Sequence, residues 1–212
     1  NLYMPDELIQ SLSKSGFNPL IPTLILTECV LVYLSKEAVV RLCSSILNLF
    51  PSSTASLQLN QTKTANTEDE SKENSTFETQ TPEISEIENT NSSVAIWMSY
   101  DMVHPHDAFG KMMRQNLEVI GGFKVPGFTQ YPDLLSHSNR FLESGCDIAK
   151  SSTMLSIYNS LIPQSEKIRI NRIEMLDEVE EWELLMSHYC VSMGIKGGVE
   201  TNRQEIIGLI PN

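Results

Sequence analysis

Glu28 stands near the end of a run that is otherwise apolar and β-branched, Thr23-Leu-Ile-Leu-Thr-Glu-Cys-Val-Leu-Val-Tyr-Leu34. A carboxylate there must be satisfied or face a large desolvation penalty. At the carboxyl end of a strand in an open α/β sheet, where ligands bind, it would accept hydrogen bonds from an ammonium or a hydroxyl. The alternative is a buried pair with an Arg or Lys. Tyr100-Asp101 ends a second apolar segment in the equivalent way, and His104, His106 and Asp107 follow on its loop. His-x-His-Asp could suggest a metal, but spacing nominates no further ligand, so an exposed loop is the simpler expectation. The sequence contains no nucleophile elbow, P-loop or HExxH. Gly16 alone precedes Gly110, so no Gly-rich turn follows the first strand.

The elements that would position these residues follow a strand–helix–strand rhythm. Pro5 to Gly16 reads as a short amphipathic helix. The run after Pro22 reads as a strand buried on both faces, as parallel strands are. Ser35 can cap a helix whose apolar face carries Val39, Leu42, Cys43, Ile46 and Leu49/Phe50. Val94 to Val103 reads as the next strand, giving a parallel βαβ unit. From Asp107, a potential cap, the pattern turns helical. Phe109, Met112, Met113, Leu117 and Ile120 share one face up to Gly121-Gly122, and Pro132–Leu142 forms a second helix. Further helices are expected up to Pro163, over Ile168–Ile173, and after a capping Asp177, where Val179, Trp182 and Leu185/Met186 would be buried. Cys146–Lys150 reads as a brief extended piece, Tyr189–Ile195 as a last strand and the remainder as a polar tail.

The 212 residues carry 15 basic and 27 acidic side chains, a net charge of −12. That balance disfavours nucleic acid and anionic membrane as partners. No apolar run reaches the roughly 18–20 residues that cross a bilayer, and no signal peptide is seen at Asn1. Cys29, Cys43, Cys146 and Cys190 are widely spaced, as in a reducing compartment. A cytoplasmic monomer is expected. Half of the charge lies in 51–93, a stretch rich in Ser, Thr, Asn, Gln and Glu, whose composition predicts a disordered acidic insertion. Its Asn-x-Ser/Thr triplets, and Thr67 and Ser85 with a Glu three residues on, are most simply solvated filler.

Taken together, Glu28-Cys-Val-Leu-Val-Tyr33, Tyr100-Asp with Asp107-Ala-Phe-Gly110, and Leu176-Asp-Glu-Val-Glu-Glu with His188-Tyr-Cys190 and Lys196-Gly-Gly198 resemble the leucine carboxyl methyltransferase family. The order and spacing match across nearly the whole chain outside 51–93, and correspond to the second half or so of a member. The resemblance implies a class I, Rossmann-like α/β fold that is dependent on S-adenosylmethionine. This chain, 1–212, would supply the C-terminal part, with 107–173 as a helical substrate-recognition region.

The activity so implied is methyl esterification of the C-terminal leucine carboxylate of the protein phosphatase 2A catalytic subunit, a regulatory mark on that phosphatase. It assigns Glu28 to the cofactor. The family's Asp-Leu pair lands on Asn1-Leu2, so those two are carried as cofactor candidates with Asn in place of Asp. Tyr33 is a candidate on the substrate side. The family's early Arg, Gly-rich turn and second-strand Asp would precede Asn1, and its D-R-F-G reads Asp107-Ala-Phe-Gly110 here. Two other readings are carried: a tRNA wybutosine-synthesis-type carboxyl methyltransferase, and an inactive truncated form or interaction module.

Overall fold

A computed structural model describes residues 4–50 and 93–211. Asn1, Leu2 and nearly all of the 51–93 segment, with Thr67 and Ser85, lie outside the described residues. Among the described residues four strands form one sheet: β1 (Thr23–Glu28), β2 (Val94–Met102), β3 (Ile148–Thr153) and β4 (Tyr189–Gly197), in the order β1-β2-β4-β3. Around them lie α1 (Pro5–Lys14), α2 (Lys36–Leu47), α3 (Ala108–Gln115), α4 (Pro126–Gln130), α5 (Leu134–Glu143), α6 (Met154–Leu161), α7 (Gln164–Ile173), α8 (Val179–Ser187) and α9 (Glu200–Gly208).

The βαβ expectation holds for β1-α2-β2, where Thr23 to Glu28 pair in parallel with Ala95 to Tyr100. Ser35 caps α2 by accepting from the Ala38 N–H. Beyond β2 the sheet is not parallel: β4 runs antiparallel to both β2 and β3. The expected helical stretch 107–173 therefore encloses an edge strand, β3, in place of a brief extended piece. The expected polar tail folds as α9, whose Ile206 and Ile207, with Ile210, cover Met193 and Ile195 of β4.

Two other expectations are corrected. The strand predicted over Thr23–Leu34 stops at Glu28, because Cys29 takes φ +48 and the chain turns into a 3-10 helix at Leu31–Tyr33. It is also half-exposed in alternation, with Leu24 61% and Leu26 65% exposed. Among the described residues β1 is an edge strand with one uncovered face, and so departs from the two-sided burial of a central parallel strand. Nor is the Val179/Trp182/Leu185 stripe buried, since α8 has no buried residue and Val179 is 46% exposed.

The main core fills the other sheet face. Ala95 and Trp97 of β2 pack with Val39, Leu42, Cys43, Ile46 and Leu47 of α2 and with Phe141 of α5. Trp97 donates through Nε1 to Thr27 Oγ1 at 3.1 Å, which satisfies its one polar group inside that core.

Candidate functional site

The carboxyl ends of β1 and β2 and the start of β4 meet at one edge. Strand register puts Glu28 beside Tyr100, and Tyr100 beside Val191, on the face that also carries Leu24 and Leu26. Two residues back along β4, Tyr189 stacks on Tyr100 with ring centroids 5.1 Å apart and planes 8° apart. The Glu28 carboxylate is exposed, so the desolvation reading of this residue falls away. It is an accessible acceptor, not a buried ion seeking a partner.

The backbone just past both strands is unusual. Cys29 (φ +48) and His104 (φ +64) are the non-glycine residues with positive φ among those described, and left-handed backbone at such residues concentrates at functional sites. The Cys29 N–H donates to Tyr100 O at 2.8 Å, which joins the two strand ends after the ladder has stopped. Burial, with the nearby Asp101 and Glu28 charges, pushes the Cys29 thiol up to about 11. Burial likewise pushes Tyr100 up to about 12, helped by Tyr189, Cys29 and Glu28, and raises Tyr189, helped by Cys29 and Tyr33. At neutral pH the thiol and both phenols are therefore uncharged. Cys29 is no thiolate nucleophile.

Tyr33 enters from the 3-10 turn, 44% exposed, with its ring edge against Phe123 at 6.4 Å. What fixes that turn is Gly127 of α4. A Cβ there would stand 2.8 Å from both Leu31 O and Val32 Cα, so only glycine lets the helix close on the turn. Beside it, Glu118, Gly122, Phe123, Lys124, Val125 and Pro126 line a cavity of about 470 Å³.

Asp101 does not join Tyr100 in the cleft. Strand alternation turns it inward, where it is 1% exposed and accepts from Arg140 Nη2 of α5 at 2.7 Å. The same nitrogen donates to Ser99 Oγ at 2.8 Å, and Ser99 donates to Asp101. His137, one turn before Arg140, is held well below its ordinary value by burial and by the Arg140 charge, and is neutral. Arg140 and His137 escaped the sequence reading. The one available signal was the Ser-x-Asp pair on the inward face of β2, which demands a buried donor without saying from where.

Asp107 does cap its helix, accepting from the Gly110 N–H at 2.7 Å. It pairs not with the loop histidines but with His188, whose Nε2 lies 2.8 Å from Oδ2. His188 Nδ1 sits 2.7 Å from Leu184 O, and its ring meets Phe109 at 4.6 Å. The Gly110 N–H, then the His188 ring, hold the Asp107 carboxyl below the usual range. Gly110 is obligatory for a different reason: a Cβ would come within 1.9 Å of His104 O. Asp-x-Phe-Gly thus reads as cap, ring contact and close approach, and Ala108, at the x, is exposed.

A mixed α/β sheet with an acid at the carboxyl end of its first strand, beside a helix-rich region, is consistent with a Rossmann-like methyltransferase architecture. A leucine carboxyl methyltransferase family model matches residues 1–47. Leucine carboxyl methyltransferase 1 of Rattus norvegicus is 30% identical over 200 residues, 94% of this chain and 47% of that protein. The leucine carboxyl methyltransferase 1 homolog of Arabidopsis thaliana is 39% identical over 103 residues, 49% of this chain and 31% of that protein. tRNA wybutosine-synthesizing protein 4 of Homo sapiens is 25% identical over 188 residues, 89% of this chain and 21% of that protein. The chain belongs to the leucine carboxyl methyltransferase family. It spans about half the length, or less, of the curated relatives it matches.

Proposed function

We propose that this chain carries the C-terminal part of an S-adenosylmethionine-dependent enzyme that esterifies the C-terminal leucine carboxylate of the protein phosphatase 2A catalytic subunit. The observation that carries the reading is Glu28, accessible at the carboxyl end of β1 beside the uncharged Tyr100–Tyr189 pair. A carboxylate accepts from the hydroxyls and ammonium of such a cofactor, and aromatic faces attract a cation such as a sulfonium. When bound, S-adenosylmethionine supplies an electrophilic methyl group. Asn1 and Leu2 are proposed to share its binding with Glu28, and Tyr33 to face the substrate.

No residue needs to act as a base. An α-carboxyl has a reference pKa of about 3.3–3.7, so the nucleophile is already ionised at neutral pH. The neutral thiol and phenols around Glu28 suit this, because none competes as a nucleophile. What the protein contributes is alignment and exclusion of water. We place the enzyme in the cytoplasm as a monomer; the four free cysteines support a reducing compartment. Among the described residues no helix is long and apolar enough to cross a membrane.

Calorimetric titration with S-adenosylmethionine tests the reading. Micromolar binding that weakens at least tenfold in Glu28→Gln supports it. Binding that ignores Glu28, or none, sends the chain to the interaction-module reading. The tRNA reading has the wybutosine-synthesizing relative in its favour and the net charge of −12 against it.

A further inference from the structure

The junction between α8 and β4 is a single residue. The helix ends at Ser187 and the strand begins at Tyr189, so His188 decides where that tyrosine starts. No residue of α8 is buried, whereas His188 is 2% exposed. Its ring is held on both sides. Nδ1 donates to Leu184 O at 2.7 Å, back in α8, and Nε2 lies 2.8 Å from Oδ2 and 3.0 Å from Oδ1 of Asp107, the cap of α3. The Phe109 ring packs on it at 4.6 Å and the His104 ring meets it edge-on at 5.9 Å. Its backbone is tied as well: the Val103 N–H donates to His188 O at 2.9 Å, one step beyond the Met102–Tyr189 pair of the ladder.

A histidine beside a carboxylate suggests a general base, with the carboxylate orienting the ring for proton transfer. Here that use is blocked, because both ring nitrogens face oxygens that accept, and neither has a lone pair free for a substrate proton. What the contacts fix is a position. They tie the last turn of α8, the first turn of α3 and the end of β2 to one point. The next residue in the chain is Tyr189, whose ring stacks on Tyr100 at 5.1 Å. Without those ties Tyr189 would follow a helix that the core does not hold.

We propose that His188 is a positioning residue for the candidate cofactor site: clamped by Asp107 and Leu184, it sets the Tyr189 ring on Tyr100 beside Glu28. This rests on the reading of the tyrosine pair as part of an S-adenosylmethionine site, and names what holds the pair in place. Asp107 then has two separable jobs, capping α3 through the Gly110 N–H and gripping His188.

The test combines NMR of the tyrosine rings, isotope-labelled, with calorimetric titration of S-adenosylmethionine, both on the whole chain. His188→Leu fills the space and drops both ring contacts. His188→Gln keeps an amide nitrogen within reach of Asp107. Asp107→Ser retains a cap on α3, since serine caps about as well as aspartate, and releases His188. That third variant carries the test should His188→Leu fail to fold. His188→Leu and Asp107→Ser should lose the mutual ring-current shifts of Tyr100 and Tyr189 and weaken the cofactor at least about tenfold, with His188→Gln within about threefold of native. A histidine that merely stabilises the fold would lower the urea midpoint and leave the ring shifts and the folded protein's affinity unchanged. That result overturns the proposal, as does a His188→Gln no better than His188→Leu. If the native chain ignores S-adenosylmethionine, the methyltransferase reading fails, and the ring shifts alone decide whether His188 holds Tyr189.

Discussion

The two faces of the β2 strand make opposite uses of the same alternation. Inward, Ala95, Trp97, Ser99 and Asp101 are all buried, against α2 and α5, and the polar pair accepts from Arg140 Nη2. Outward, Ile96, Met98 and Tyr100 are half-buried, and across the strand pair Leu24 and Leu26 are exposed. A sealed face can hold a charge pair in fixed geometry, whereas an open face can receive something. The site sits where the open face reaches the end of its strands.

The largest effect should come from breaking the sealed face. Arg140→Met leaves the Asp101 carboxylate buried and unpaired, and should cost about 3–5 kcal/mol in urea unfolding. Adding Asp101→Leu should recover much of that loss, and a double variant no better than the single would mean the pair does more than compensate itself. Gly110→Ala drives a methyl into His104 O and should cost about 1–3 kcal/mol. A change below 0.5 kcal/mol would show the loop to be adjustable. Asp107→Ala removes the α3 cap and the His188 partner, for about 1 kcal/mol by the same measurement.

Acid should erode the two regions in different windows. His137 is neutral in the fold, with its proton affinity depressed, so its contribution is present above the unfolded value of about 6.5 and declines as pH falls below it. Asp107 is also depressed, so its share is present above about 3.9 and is lost as pH falls through its lower folded value. Urea midpoints should therefore begin to fall below about pH 6.5 in the native chain. His137→Gln should flatten that first decline and leave the second in place. The smallest effects belong to α6–α8, which have no buried residue: Ile173→Ser, at a position 72% exposed, should stay within about 0.5 kcal/mol.

The same contrast decides what could be read from sequence. The α2 helix, its Ser35 cap, β2, the Asp107 cap and the last strand were legible because each rests on local chemistry: a hydroxyl or carboxylate before a periodic run, or an apolar run of strand length. Strand direction was not, since β4 pairs antiparallel through contacts far apart in the chain. Nor was the end of β1, because nothing in Glu28-Cys29-Val30 announces a left-handed cysteine. Apolar spacing in α8 predicted a buried stripe, yet periodicity records which side chains share a face, not whether anything covers it. Of the site, Glu28, Tyr33 and Tyr100 were nominated by strand position and resemblance. Tyr189 as the stacking partner and Arg140 behind the strand needed the register.

Because β4 lies between β2 and β3, β3 joins the sheet through a strand that follows it in the chain. Among the described strands β3 pairs with β4 alone, so it waits for that partner from its own emergence until residues 189–197 have left the ribosome. Closure of the sheet beyond β2 therefore depends on sequence-distant contacts, which are slow to form and expose strand edges meanwhile. A premature stop anywhere between β3 and β4 would leave β3 without the strand it pairs with, a better substrate for a chaperone than for a cofactor.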